Sequence, residues 1–181
     1  MPDKAVIINQ TQKWLTEIVI AHNLCPFAKR EYELGRIRYD LCAAIDIQGL
    51  LMHVMSQCAL MDKDEAIETS LIIVPAALAD FDDYLDVLAL ATSLMSAQDY
   101  DGIYQLASFH PDYCFDGAEK NDAANYTNRS LYPMFHILRE ASVEAALKTY
   151  PNPENIPERN VASMRELGIE AMGEALDRCY E

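Results

Sequence analysis

A long polar loop in the second half of the chain contains side chains that could bind a metal ion. His110 and Cys114 lie in this loop with three residues between them, and His136 follows it. Imidazole nitrogens and thiolates are preferred zinc ligands, so these side chains predict a zinc site, with Cys25 or Asp112 as a fourth ligand. The structural alternative is that His110 forms hydrogen bonds within the loop and that His136 packs on a buried helix face.

The same side chains could instead perform thiol and acid–base chemistry. Cys25 precedes a proline and a predicted helix start, where exposed backbone N–H groups favour the thiolate form of a cysteine. We predict Cys25 as a nucleophile and His110 as the acid or base, and Asp112 completes the predicted catalytic set. Cys25 and His110 must then lie close together. The alternative is that Cys25 is a buried and unreactive thiol.

A third group of side chains could hold an anionic small molecule, because arginine contacts carboxylates and phosphates at two points. We expect Arg129 and His110 to face one shared pocket. The alternative is that the arginines pair with acidic residues and serve only to order the loop. The candidate ligand-binding residues are Arg36, Arg38, Asn125, Asn128, Arg129, Ser130, His136 and Arg139.

The composition narrows the possible partners. Fourteen Lys and Arg against 29 Asp and Glu give a formal net charge of -15, which disfavours binding to nucleic acids and to anionic membrane surfaces. The N-terminal sequence has no secretion-signal pattern, and no apolar run approaches the roughly 20 residues of a membrane-spanning helix. Five cysteines without a C-x-x-C pair are predicted to be reduced. We therefore expect a cytoplasmic protein.

The segments that must position these residues alternate between strand and helix patterns. An amphipathic N-terminal helix is predicted to end near Cys25, and two further helices are predicted to start near Asp46 and Phe81. Strand patterns occur in "GRIRYDLCAA", "TSLIIVP" and "GIYQLASF". This order predicts a single α/β domain over residues 1–181, with a small, mainly parallel three-stranded βαβαβ sheet covered by helices.

The remaining third of the chain is predicted to be loop and helix. His110 lies at the carboxyl end of the third predicted strand, where ligands tend to bind in such sheets. The loop from Pro111 to Tyr132 is long enough to suggest a function. A helix is predicted from Pro133, and a C-terminal helical region is predicted to reach about Cys179, with a break at Gly168 or Gly173.

Several segments together resemble a known family. They are "WLTEIVIAHNLCPFA", "GRIRY", "ETSLIIVP" and the block from "SFHPDY" to "TNRSLYPMFHILREASVEAA". The chain resembles the uncharacterised bacterial family DUF1415 over nearly its whole length. That family has no established activity, so the resemblance implies homology without a mechanism.

Two functional classes are consistent with these patterns. The first is a small cytosolic enzyme that acts on an anionic small molecule through Cys and His chemistry at the polar loop. The second is a non-catalytic protein that binds a metabolite or a metal ion, such as zinc, with the same loop. Rapid chemical labelling of Cys25 would favour the enzyme.

Overall fold

The computed structural model describes residues 3–181, and in this range seven α-helices surround one four-stranded sheet. The helices are α1 (Lys4–Trp14), α2 (Ala28–Glu33), α3 (Ile47–Lys63), α4 (Phe81–Ala97), α5 (Glu140–Thr149), α6 (Ile156–Leu167) and α7 (Ile169–Arg178). The strands are β1 (Ile37–Leu41), β2 (Thr69–Ile73), β3 (Tyr104–Phe109) and β4 (Met134–Arg139). A π-helix follows α1 at Leu15–Ile20, and 3-10 helices occupy Ala123–Thr127 and Pro153–Asn155. Among these elements, no helix combines the length and the apolar character needed to cross a membrane.

The sheet is mixed, with the strand order β1-β2-β4-β3. β1 and β2 are parallel, whereas β4 runs antiparallel to both of its neighbours, β2 and β3. The α/β class with N-terminal and C-terminal helices is confirmed. The prediction of a mainly parallel three-stranded sheet is wrong, because a fourth strand, β4, inserts between β2 and β3 and runs antiparallel to both.

The strand β4 lies where the sequence pattern predicted a helix starting at Pro133. The residues of β4 alternate between the two faces of the sheet: Phe135 and Ile137 are buried on one face, and Met134 and His136 lie on the other. Both edges of this strand form backbone hydrogen bonds, one edge with β2 and the other with β3. Tertiary pairing therefore overrides the helical pattern, and the helix α5 begins only at Glu140.

Each face of the sheet packs against its own set of helices. The first face, which includes Leu71, Ile73 and Met134, packs against α1, the π-helix, α6 and α7. The second face, which includes Ile72 and Phe135, packs against α3 and α4. Because successive side chains of a strand point to opposite faces, each buried strand contributes to both layers.

Local signals set the helix boundaries. Asp46 Oδ1 accepts a hydrogen bond from the backbone N–H of Gly49 at 2.8 Å, which confirms the predicted start of α3. Asp80 caps α4 in the same way through the N–H of Asp82. Gly168 separates α6 from α7 with a φ of 85°, a conformation that favours glycine, so the predicted break is confirmed there.

Candidate functional site

A cleft of about 740 Å³ lies over the first face of the sheet. Its floor is formed by Thr69, Leu71, Ala107 and His136 from three adjacent strands. The walls come from the π-helix, from α5 and from the segment between residues 25 and 28. Most of the lining is apolar, so the few polar groups in it are the ones that would orient a bound molecule.

A histidine–threonine pair occupies the floor of the cleft. His136 Nε2 lies 2.6 Å from Thr69 Oγ1, and the Thr69 hydroxyl lies 2.6 Å from the carbonyl oxygen of Ile137. Because the hydroxyl has one proton to donate to Ile137, His136 donates the Nε2 proton to Thr69, and its Nδ1 is left as an acceptor. Burial lowers the pKa of His136 to about 4, so the ring is neutral at neutral pH.

Four charged residues that line the cleft form an ion group: Arg30, Glu31, Arg36 and Glu68. Arg30 Nη1 contacts Glu31 Oε1 at 3.0 Å. The guanidinium of Arg36 contacts Glu31 Oε2 through Nη2 at 2.5 Å and through Nε at 2.7 Å. Arg36 Nη1 lies further from Glu68 Oε2, at 3.6 Å, and Glu68 Oε1 is buried without a hydrogen-bond partner in residues 3–181. Arg36 is therefore committed mainly to Glu31.

Cys25 also lines the cleft, two residues before the N-cap of α2. Burial raises the pKa of the Cys25 thiol, and this effect outweighs the opposing hydrogen bonds from the backbone N–H groups of Phe27 and Ala28. The backbone stabilisation expected from the sequence is present, but desolvation is larger. At neutral pH, Cys25 is a protonated thiol.

His110 lies in a different environment, where both ring nitrogens have internal partners. Nε2 donates to the carbonyl oxygen of Leu78 at 2.9 Å, and Nδ1 accepts from the backbone N–H of Asp112 at 3.0 Å. The residue is fully buried, and its ring packs against Phe81 and Tyr84 of α4. These contacts correspond to the structural alternative for His110, because neither nitrogen is available to a substrate or a metal ion.

The structure does not bring Cys25 and His110 together. Cys25 packs with the core of the first face, whereas the His110 ring contacts α4, which packs on the second face. The expectation that these residues share one site was wrong, because His110 turns away from the cleft at the end of β3. The side chain of Asp112 is exposed, and Asp112 contacts the His110 ring only through its backbone N–H. The two side chains therefore do not form a catalytic pair.

His110 and Arg129 are neighbours only through their backbones. The backbone of His110 bridges the two residues on either side of Arg129, accepting from Ser130 N and donating to Asn128 O. The guanidinium of Arg129 donates to the carbonyl oxygens of Tyr113 and Lys120, so it binds the loop rather than a shared pocket.

The polar loop is held by its own side chains. Asn125 is fully buried, and its amide accepts from Phe115 N and donates to Glu119 O. Asn128 donates to the carbonyl oxygen of Ser108, and Ser130 donates to that of Tyr132. These side chains therefore stabilise the loop conformation.

The other predicted ligands are also separated. Cys114 donates its thiol proton to Ala118 O at 3.4 Å within the loop, whereas His136 on β4 is paired with Thr69. Across residues 3–181, no three His, Cys, Asp or Glu side chains are grouped so that they could hold a metal ion. The predicted set of His110, Cys114 and His136 is not assembled.

The arginines are dispersed rather than clustered. Arg38 lies on the second face, where it donates to Asp40 and Gln57. Arg139 reaches the cleft, but its guanidinium donates to the carbonyl oxygens of Ile67 and Met61. Of the predicted site residues, the cleft is lined by Cys25, Arg36, His136 and Arg139.

Comparison with known proteins identifies the family. The family model described as "Protein of unknown function (DUF1415)" matches residues 6–174 of the 181-residue chain. The chain belongs to the DUF1415 family. The resemblance seen in the sequence is confirmed. No curated protein and no solved structure matches the chain, so the function of this DUF1415 protein must be argued from its geometry.

Sequence reasoning missed several cleft residues of this DUF1415 protein. Thr69 begins the apolar strand β2 and Glu68 precedes it, and neither belongs to a recognisable motif. Trp14 and Phe109 look like ordinary core residues in the sequence. The partner of His136 was also hidden, because His136 was assigned to a helix. Correct assignment of β4 as a strand is the one signal that would have pointed to this face.

A second polar network lies on the other face of the sheet. His53 Nε2 lies 2.5 Å from Asp40 Oδ2, and Arg38 Nη2 lies 2.8 Å from Asp40 Oδ1. The hydrogen bond that His53 donates to Asp40, together with the nearby Cys42 side chain, raises the pKa of His53 to about 9. The network connects Arg38 and Asp40 of β1 to His53 of α3.

Proposed function

We propose that this DUF1415 protein binds a small organic molecule in the cleft over the first face of the sheet. One observation carries the proposal: apolar walls converge on the polar pair of His136 and Thr69 within a volume of about 740 Å³. Small-molecule sites typically have volumes of about 300–1,000 Å³ and combine apolar walls with few polar groups. The cleft fits that description in both respects.

The π-helix next to the cleft supports the proposal. Leu15 and Val19 from this six-residue segment line the cleft beside Trp14. The i to i+5 hydrogen bonding of a π-helix is uncommon and is often found at functional sites. A regular α-helix in its place would turn these side chains to different positions along the wall.

Fluorescence of the single tryptophan, Trp14, offers a direct test, because its side chain lines the cleft. Titration with 2-phenylethanol should change the emission along a saturable curve, with a Kd of about 1 mM for so small a ligand. Ala107→Leu, which adds volume to the cleft floor beside His136, should abolish the change. Ala89→Leu on the exposed side of α4 is the matched control.

The proposal fails under two results. One is an emission change that rises linearly without saturation. The other is an unchanged titration in Ala107→Leu, provided that circular dichroism shows both variants to be folded.

A thiol-dependent enzyme is the second candidate, favoured because Cys25 and His136 line the same cleft. The Cys25 thiol is protonated at neutral pH and needs a base, and His136 Nδ1 is an acceptor. If His136 is that base, His136→Gln should slow iodoacetamide labelling of Cys25 about tenfold or more. Equal labelling rates in the two proteins would leave simple binding as the function.

The rest of the proposal concerns location and ligand charge. We place the protein in the cytoplasm, supported by five cysteines without a disulfide in the described residues. The anionic ligand expected from the sequence stays a prediction, and the arginines on which it rested now have internal partners.

A further inference from the structure

Glu68 lines the cleft and has a carboxylate oxygen without a hydrogen-bond donor among residues 3–181. Its side chain is 13 % exposed, and this oxygen, Oε1, is buried. Leaving a carboxylate oxygen buried and unpaired is costly. Arg36 does not meet the need, because its Nη1 is 3.6 Å from Oε2 and its closer contacts go to Glu31. Glu68 lines the cleft, and its carboxylate is therefore the acceptor of the ion group with the weakest partner.

His136 adds a second acceptor of the same kind. Since its Nε2 proton is donated to Thr69, the Nδ1 atom keeps its lone pair and makes no hydrogen bond to the described side chains or backbone. Glu68 and the Nδ1 atom of His136 thus both accept hydrogen bonds, so a ligand that contacts them must bring donors.

Glu68 is the charged side chain of the cleft that has the weakest partner. Arg30 and Arg36 both contact Glu31, at 3.0 and 2.5 Å, and Arg139 is held by backbone carbonyl oxygens, so the arginines of the lining are already paired. The net charge of the whole chain is -15, which also raises the local concentration of cations and repels anions. An ammonium group has the opposite charge to the Glu68 carboxylate and can donate hydrogen bonds to it.

The apolar walls define the rest of the molecule. Trp14 and Phe109 meet edge to face with ring centroids 5.0 Å apart, and both line the cleft with Leu71. Such walls accept an aryl or alkyl group and contact a nearby cation favourably. We infer that the ligand is an organic amine, whose ammonium group donates to Glu68 and whose apolar body lies against Trp14 and Phe109. This inference rests on the proposed function of the cleft.

A matched series of three probes tests the inference: 2-phenylethylamine, 2-phenylethanol and 3-phenylpropionate. Titrations monitored by calorimetry and by Trp14 fluorescence should show the amine binding about tenfold or more tighter than the carboxylate, with the alcohol between them. Glu68→Gln should weaken amine binding about tenfold and change alcohol binding less than about twofold. Glu33→Gln, which neutralises an exposed acid of α2, is the matched control.

The outcomes separate the two proposals. If the carboxylate binds the wild-type protein as tightly as the amine does, the organic-amine inference is overturned and the binding function stands. If 2-phenylethanol does not bind the wild-type protein with saturation, both are overturned. The order of the three affinities is measured on the wild-type protein and does not depend on the folding of Glu68→Gln. Thermal melts of Glu68→Gln and Glu33→Gln show whether both variants are folded.

Discussion

His136 and Thr69 are joined by a 2.6 Å hydrogen bond across the neighbouring strands β4 and β2, although 67 positions separate them in the sequence. The Thr69 hydroxyl continues the chain of hydrogen bonds to the carbonyl oxygen of Ile137. This arrangement selects one neutral tautomer of His136 and places it on the floor of the cleft. Several measurable properties depend on it.

The low pKa of His136 predicts acid sensitivity. Its folded-state pKa of about 4 lies below the ordinary value of 6.5, so between these pH values the unfolded chain binds a proton that the folded protein does not. The free energy of unfolding should therefore fall by up to about 3 kcal/mol as the pH drops from 6.5 to 4, and this contribution should be constant above 6.5. Urea unfolding across this range measures the slope.

The variant His136→Gln isolates this contribution, because the Gln amide can still donate to Thr69 but does not titrate. Its stability should fall less steeply below pH 6.5 than that of the wild-type protein, while all other titrating groups are shared. An NMR titration of His136 with a midpoint near its ordinary pKa of 6.5 would contradict the prediction.

The raised pKa of His53 predicts the opposite pH dependence of the free energy of unfolding. Its folded-state pKa of about 9 lies above 6.5, so its contribution is complete below pH 6.5 and is lost as the pH rises toward 9. The side chain is 26 % exposed, and solvent screening limits the loss to about 1–2 kcal/mol. His53→Gln should flatten the alkaline fall in stability. Asp40→Asn should lower the pKa of His53 in the NMR titration, and an unchanged value would refute the assignment.

His110→Ala should destabilise the protein rather than a catalytic step. The substitution leaves the carbonyl oxygen of Leu78 and the N–H of Asp112 without their partner at a fully buried position, which costs about 2–3 kcal/mol. Thermal or urea unfolding measures the loss, and ligand binding in the cleft should be retained. Asp112→Ala, at an exposed side chain in the same loop, should change stability by less than about 0.5 kcal/mol. A wild-type melting curve for His110→Ala would return His110 to the candidate catalytic residues.

The hydrogen bonds of the Asn125 side chain are expected to order the polar loop. Asn125→Ala removes both the acceptor for Phe115 N–H and the donor to Glu119 O at a buried site, so stability should fall by about 2–3 kcal/mol. Amide hydrogen exchange should accelerate at Phe115 and its neighbours. Asn121→Ala, at an exposed position of the same loop, is the control. Equal exchange rates in the two variants would show that the loop is ordered by something other than the Asn125 amide.

Local sequence signals were sufficient for much of the fold. Asp46 caps α3 with its own side chain, and Gly168 ends α6 through its positive φ; each depends only on residues a few positions away. The short apolar run of β2, buried at every position, was recognised for the same reason. Strand β4 was missed because its backbone is satisfied by two distant strands rather than by its own turns.

The candidate site was predicted in part by residue type. Cys25, Arg36, His136 and Arg139 were chosen for their chemistry and line the cleft, but the reason for grouping them with His110 was incorrect. Most of the predicted loop residues use their polar atoms to order the loop.

The amino-acid sequence by itself determined the α/β class, the caps and breaks of the helices, the family and the types of side chain available for chemistry. Only the tertiary structure decided which of these side chains meet. Thr69 and His136 become partners through the antiparallel register of β2 and β4. Glu68 Oε1 has no donor among residues 3–181, and the closer contacts of Arg36 go to Glu31. Such pairings depend on register and burial between segments that are distant in the chain, which local patterns of hydrophobicity and propensity do not encode.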